Sequence, residues 1–183
     1  TWTGSEAISK RISEGEIYDI VLTTSVGIDR LVGAGKLISQ SKNDFSRSAI
    51  AAAVRSGLPR PDISTVDGLK KALVDAQSIA ISSGASGRYL ENLFQKLGVS
   101  GETKPKIRQP SSGAQIGDML ARGEADLGFQ QVTELIHAKG IEFLGTLPAE
   151  VQNYTVWSAA VHAQGGDEKA SGGFIRALAA PAA

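Results

Sequence analysis

Cysteine is absent from the 183 residues, which excludes disulfides and thiolate metal sites and suits either a reducing or an oxidising compartment. Histidine is nearly absent, with only His137 and His162 and no His-x-x-x-His spacing, so neither a metal site nor a cofactor is expected. Excess charge is missing too: 19 Lys and Arg are interspersed with 19 Asp and Glu, leaving no basic field to hold nucleic acid or an acidic membrane surface. No apolar run approaches the roughly 20 residues that a membrane-spanning helix needs. What is present, 42% hydrophobic and 21% charged residues without repeats or low-complexity tracts, is the composition of an ordinary globular chain with a sizeable core.

The stretch from Ser78 to Leu90 organises the rest. Ile79, Ala80 and Ile81 form a short apolar run suited to a buried parallel strand. Leu90, Leu93, Phe94 and Leu97 then recur at helical spacing, which predicts an amphipathic helix from Ser86 to Leu97 stopped by Gly98. Between them lies the turn Ser82-Ser83-Gly84-Ala85-Ser86-Gly87, with Ser86 placed as the helix N-cap. Free N–H groups at such a helix start can cradle an anion without a lysine. Arg88, on the first helical turn, reads as an exposed solubilising residue in preference to a carboxylate clamp.

Similar junctions recur along the chain. Ser5 precedes a helix carrying Ala7, Ile8 and Ile12 and closing at Glu14-Gly15. Tyr18 to Leu22 reads as a strand, Thr23-Thr24-Ser25 as a hydroxyl turn, and Ile28, Leu31 and Val32 as a short helix ending in Gly33-Ala34-Gly35. Residues 36 to 47 are polar and carry no clear period; Ala49 to Val54 is a strand candidate, followed by the breaker Gly57-Leu58-Pro59-Arg60-Pro61. Ser64 with Asp67 resembles a capping box before Val66, Leu69 and Leu73. Lys106-Ile107-Arg108 is a short strand candidate, and Pro110-Ser111-Ser112-Gly113 leads into a helix with Ile116, Met119 and Leu120. Leu127-Gly128-Phe129 is a strand ending in Gln130-Gln131, Val132 to Ile136 a helix stopped at Gly140, and Ile141 to Leu144 a further strand. Asn153 to Val161 is β-rich, and Phe174 to Leu178 starts a late helix that meets Pro181.

Such a succession of β-α units predicts a doubly wound parallel sheet. Two long strand-like segments, 48–54 and 152–161, divide it into an outer lobe, residues 1–50 with 160–183, and an inner lobe, residues 55–150. A ligand is then expected in the cleft between them. Known catalytic loops are not matched: Arg88 stands where a G-x-S-x-G elbow needs its last glycine. Arg30 and Leu37 break a P-loop pattern around Gly35-Lys36.

Thr1 to Thr24, Ala85-Ser86-Gly87-Arg88-Tyr89 with its helix ending Lys96-Leu97-Gly98, Gly123 to Phe129, Tyr154 in its strand, and Phe174 to Pro181 together resemble the corresponding segments of periplasmic molybdate-binding proteins. The resemblance spans almost the whole chain. It implies a type II periplasmic-binding-protein fold, two lobes that close on a small anion and deliver it to the membrane permease of an ABC importer, as a monomer when complete. It also implies that roughly the family's first strand and helix, its last helix and its signal peptide lie outside this chain, which opens on Thr1-Trp2-Thr3 as on the tail of a strand. Carried over by position, Ser5 matches a serine ligand, Ser86 and Gln130 match residues that bind through backbone N–H groups, and Tyr154 matches a hydroxyl donor. Thr24, from its own hydroxyl turn, joins them as a ligand-binding candidate.

Ser86 and Gln130 stand where the family has alanine and valine, and such side chains suit a carboxylate or a larger ligand as well as a compact oxyanion. Relatives of this family include isomerases of unsaturated tricarboxylic acids, so a trans-aconitate isomerase-like activity is the enzymatic alternative, with Tyr154 or a serine to move the proton. The effector-binding half of a transcription regulator would share the fold, but no helix-turn-helix segment is present in the sequence.

Overall fold

A computed structural model describes residues 5–110 and 115–180, in two compact units. One unit runs up to Arg47 and resumes at Thr155; the other is Ser48–Tyr154.

In the first unit, α1 (Ser5–Ser13), β1 (Ile20–Thr24) and α2 (Ser25–Gly33) follow in order. Ile12, Ile28 and Leu31 pack with Val21 and Leu37. β2 (Asn43–Arg55) begins in this unit and continues into the second. It starts six residues before the Ala49 expected from sequence, because Asn43 to Arg47 carry one apolar residue, Phe45, and no alternation to mark them as strand.

The second unit contains α3 (Val66–Asp75), β3 (Ile79–Ile81), α4 (Ala85–Lys96), α5 (Ser100–Thr103), β4 (Ile107–Arg108), α6 (Ile116–Ala121), β5 (Leu127–Gln131), α7 (Val132–Leu135) and β6 (Ile141–Thr146). Thr65, not Ser64, caps α3: its hydroxyl accepts from the Gly68 N–H at 3.1 Å. The strand order is β6-β2-β5-β3-β4. Here β5-β3-β4 is parallel, whereas β2 pairs antiparallel with β5 and with β6. The all-parallel expectation is therefore corrected, and the sheet is mixed.

Side-chain alternation sends the strands' residues to two cores. Ile50, Ala52, Val54, Ile79, Ile81, Leu127 and Phe129 meet α3 and α4 on one face, where the Phe94 and Phe129 rings sit edge to face at 6.2 Å. Ala51, Ala53 and Ala80 meet α6 and α7 on the other. There Gly128 is required, because a Cβ would lie 2.6 Å from Cγ2 of Ile116.

The first unit is completed by β7 (Tyr154–Val161) and α8 (Glu168–Ala179). β7 pairs antiparallel with β1, joining Ile20 to Val161 and Thr24 to Trp157. Ile175 of α8 packs against Ala159 and Val161. α8 starts six residues before Phe174, where the sequence places it, with Asp167 accepting from the Ala170 N–H at 2.9 Å.

Gln152 substitutes for a strand in the second unit. Its Oε1 accepts from the Ile50 N–H at 2.9 Å, and its Nε2 donates to the Ile50 and Leu147 carbonyls at 3.0 and 3.2 Å. Gln152→Ala leaves the N–H of fully buried Ile50 without that acceptor, and is expected to lower stability by about 1–3 kcal/mol. Urea unfolding checks this: the midpoint should fall with an unchanged slope.

Candidate functional site

Register sets the site. Ile81 pairs with Phe129 at the end of the parallel ladder, so Ser82 and Gln130 come next on the two chains, Gln130 still within β5. The helices flanking this edge lie on opposite faces, α4 with the larger core and α6 with the smaller. A crevice at the carboxyl ends of parallel strands, where the following helices part to either side, is the usual ligand position of an open α/β sheet.

On the α4 side the turn is compact. Gly87 touches the Ser82 carbonyl so closely that a Cβ would lie 1.6 Å from its oxygen. Gly84, not Ser86, is the N-cap, and no side chain caps α4. Ser86 is the second helical residue, and its hydroxyl lies 2.9 Å from that of Ser82. The correction follows from the glycine at the cap, which the backbone accepts in place of a hydroxyl residue. The amides of Ala85, Ser86 and Gly87 thus open the helix with two hydroxyls beside them. Arg88 is exposed, as expected, and its Nη1 lies 3.4 Å from the Ser83 carbonyl, to which it donates.

The α6 side differs. Gln130 is 5% exposed, and its Oε1 accepts from the Ile116 N–H at 3.0 Å. Its Nε2 donates to Gln115 Oε1 at 2.8 Å, and the side chain also hydrogen-bonds Glu134. A side chain expected beside the ligand is therefore committed to the protein. Glu134, at the third position of α7, also takes the backbone N–H of Gln131, the N-cap: half of a capping box. Glu134 keeps solvent access, yet desolvation of its carboxyl raises its pKa, opposed by those two hydrogen bonds. Gln115 and Glu134 were not found from sequence. Two amide side chains, Gln130 and Gln131, at the end of a fully buried strand were the available sign, since they must find partners.

The other predicted residues lie on other elements. Ser5 begins α1 and its carbonyl accepts from Ser9 Oγ at 3.0 Å; Thr24 caps α2, accepting from the Gly27 N–H at 3.2 Å. Both belong to the first unit. Tyr154 opens β7 and is 53% exposed. The turn proposed at Ser111 to Gly113 and the strand tail at Thr1 to Thr3 lie outside the described residues. His162 is buried, its Nδ1 accepting from the Gln164 N–H at 3.1 Å; burial, then Lys36, lowers its pKa. Among the described residues no acid or histidine cluster could hold a metal ion, and no helix is long and apolar enough to cross a membrane.

The family model for bacterial extracellular solute-binding proteins matches residues 1–183. The chain belongs to this family. A curated relative, the aconitate isomerase of Pseudomonas sp., is 38% identical over 175 residues, 95% of this chain. The chain spans 66% of that relative's length. Among solved structures, the molybdate-binding protein of Azotobacter vinelandii matches with a TM-score of 0.75 at 19% identity, over 99% of this chain and 80% of its own. The substrate-binding domain of a putative molybdenum ABC transporter from Clostridium difficile gives 0.73 at 16% identity, over 98% and 78%. The fold of this solute-binding protein is that of the type II periplasmic binding proteins.

Glu134 supplies a pH test of the α6 side. Its raised pKa means that the folded state favours the neutral carboxyl. That stabilisation is present below the carboxyl's unfolded pKa and is lost as pH rises through the folded value. Glu134→Gln, which keeps an acceptor for Gln131, should therefore unfold at higher urea than the unsubstituted protein at pH 7, with the gap closing below pH ~4. A gap that persists or reverses there would refute this origin.

Proposed function

We propose that this protein binds a small anion, an organic carboxylate or an oxyanion, and presents it in the periplasm to the membrane permease of an ABC importer, acting as a monomer. The observation that carries this reading is the start of α4: an uncapped helix terminus with the Ser82 and Ser86 hydroxyls beside it, at the carboxyl end of β3. Backbone N–H groups and the helix dipole favour negative charge there without a fixed cation. Membership of the solute-binding family and the fold of its transporter relatives support it. Ser5, Thr24 and Tyr154 enter the proposal as further hydroxyl ligands, and Gln130 through its main chain alone.

A second reading has its own observation, the 38% identity to an aconitate isomerase over 95% of this chain. On that reading the same anion site holds an unsaturated tricarboxylate while a proton moves between allylic carbons, leaving C=C displaced and charge unchanged.

A thermal-shift series with molybdate, tungstate, sulfate, phosphate, citrate and trans-aconitate tests both. An anion at a hundred times its dissociation constant should add about 2.7 kcal/mol of stability, and Ser86→Ala should weaken binding about fivefold. No shift with any anion would sink the binding reading. NMR of trans-aconitate with the protein decides the second: growth of the cis isomer supports it, and its absence with binding present leaves transport alone.

A further inference from the structure

β7 runs into a turn that is tied to two other segments of the first unit. The His162 N–H donates to the Asp19 carbonyl ahead of β1 at 3.1 Å, and the Ala163 N–H donates to the Lys36 carbonyl on the loop after α2 at 2.9 Å. Leu37 of that loop bridges to His162, and the Gly166 N–H donates to Asp19 Oδ1 at 3.0 Å. The turn lies close against its neighbours: a Cβ on Gly165 would stand 3.1 Å from the Tyr18 carbonyl oxygen. Its own shape is held by the His162 side chain, whose Nδ1 accepts from the Gln164 N–H at 3.1 Å.

That last bond fixes the protonation state. A ring nitrogen that accepts from an N–H carries no hydrogen, so the imidazole is neutral with its hydrogen on Nε2. His162 is 3% exposed, and among the described residues nothing accepts from Nε2. A second proton must go onto Nδ1, where it would face the Gln164 N–H, donor against donor, and the charge would be buried with no acceptor on either nitrogen. Of the charged and titratable groups on the joined segments, Lys36 is the one whose charge bears on the ring; burial first, and then this like charge, lower its pKa. Asp19 and Asp167 spend carboxylate oxygens on the Gly166 and Ala170 N–H groups, and Tyr18 donates its hydroxyl to Glu16. Arg30, in the last turn of α2, is a further cation, and Glu168 opens α8 beyond the turn.

We propose that the turn 162–166 is an acid-operated latch: neutral His162 holds it closed against Lys36 and Asp19, and protonation of the ring releases it. The proton reaches Nδ1 only when the Gln164 N–H swings away, so charging and opening are one event. The closed state favours the neutral ring. Its stability is therefore full above the unfolded histidine value of about 6.5, is lost as pH falls toward the lower folded value, and falls no further below that. Release frees the loop after α2 and the approach to α8 together, since both hang on this turn. The latch is independent of which ligand the protein binds.

Nuclear magnetic resonance of the isotope-labelled protein tests this. The His162 ring, told from His137 by its absence in His162→Asn, should titrate below ~6.5. Over the same range the amide protection of Ala163, Gln164, Gly165 and Gly166, corrected for the intrinsic pH dependence of exchange, should fall by up to about tenfold per pH unit, while the amides of β5 keep theirs. His162→Asn retains an acceptor for the Gln164 N–H but cannot take the charge, so its turn should stay protected. Lys36→Met removes the like charge and should move the ring titration and the loss of protection together to higher pH, which keeps the test open if His162→Asn does not fold. Protection that stays level while His162 titrates, a ring that titrates at or above the unfolded value, or the same acid loss in His162→Asn would overturn the latch. An equal loss in β5 would overturn it too, because the whole protein would then be unfolding.

Discussion

Strand β5 is buried along its whole length, and much of the second unit follows from that constraint. Leu127 and Phe129 face the larger core, whereas Gly128 faces α6 with no side chain at all, which lets Ile116 approach the sheet. The same face then receives Gln130, a polar residue one pleat further along. An amide left without partners there would cost more than its burial returns, so the start of α6 must lie where its first N–H meets the Gln130 oxygen. The glycine that brings α6 close and the glutamine that anchors its end are two parts of one packing solution.

The opposite face reaches its geometry differently. α4 carries Leu90, Leu93 and Phe94 into the larger core and begins in a turn so tight that Gly87 rests on the Ser82 carbonyl. Because Gly84 caps the helix without a side chain, the amides of that first turn have no internal hydroxyl assigned to them. One helix start is therefore occupied by the protein and the other is open. The asymmetry comes from two residues, Gly84 and Gln130, at the ends of neighbouring parallel strands.

Much of this was legible in sequence. The 3.6-residue spacing of Leu90, Leu93, Phe94 and Leu97 marked α4, and Gly98, with positive φ, stands just past its end where the sequence closes the helix. The serine turn before α4 was legible as well, but not which of its residues is the cap, since Gly84 and Ser86 both suit that role. Strand direction was not legible. Ile50 lies 102 residues from Gln152, its side-chain partner, and no local period encodes a pairing at that distance or tells a parallel from an antiparallel neighbour. The first turns of α8 were hidden for a local reason: Glu168 to Gly173 contain two glycines and no apolar stripe, so only the Asp167 cap announces the helix.

Whether such a site binds or reacts depends on a group free to carry a proton. Among the described carboxyls, Glu134 is the one whose pKa is raised, and it stands near the strand edge. Yet its carboxyl receives the Gln131 N–H and the Gln130 side chain, as the third residue of a helix start does in a capping box. A base so engaged must give up hydrogen bonds that hold α7 and Gln130 before it can take a proton from a ligand, a cost added to every turnover. The Ser82 and Ser86 hydroxyls lie 2.9 Å from one another with no histidine beside them to draw off a proton. Among the described groups at this edge, the hydroxyls and the engaged carboxyl can offer hydrogen bonds, whereas a free base is not among them.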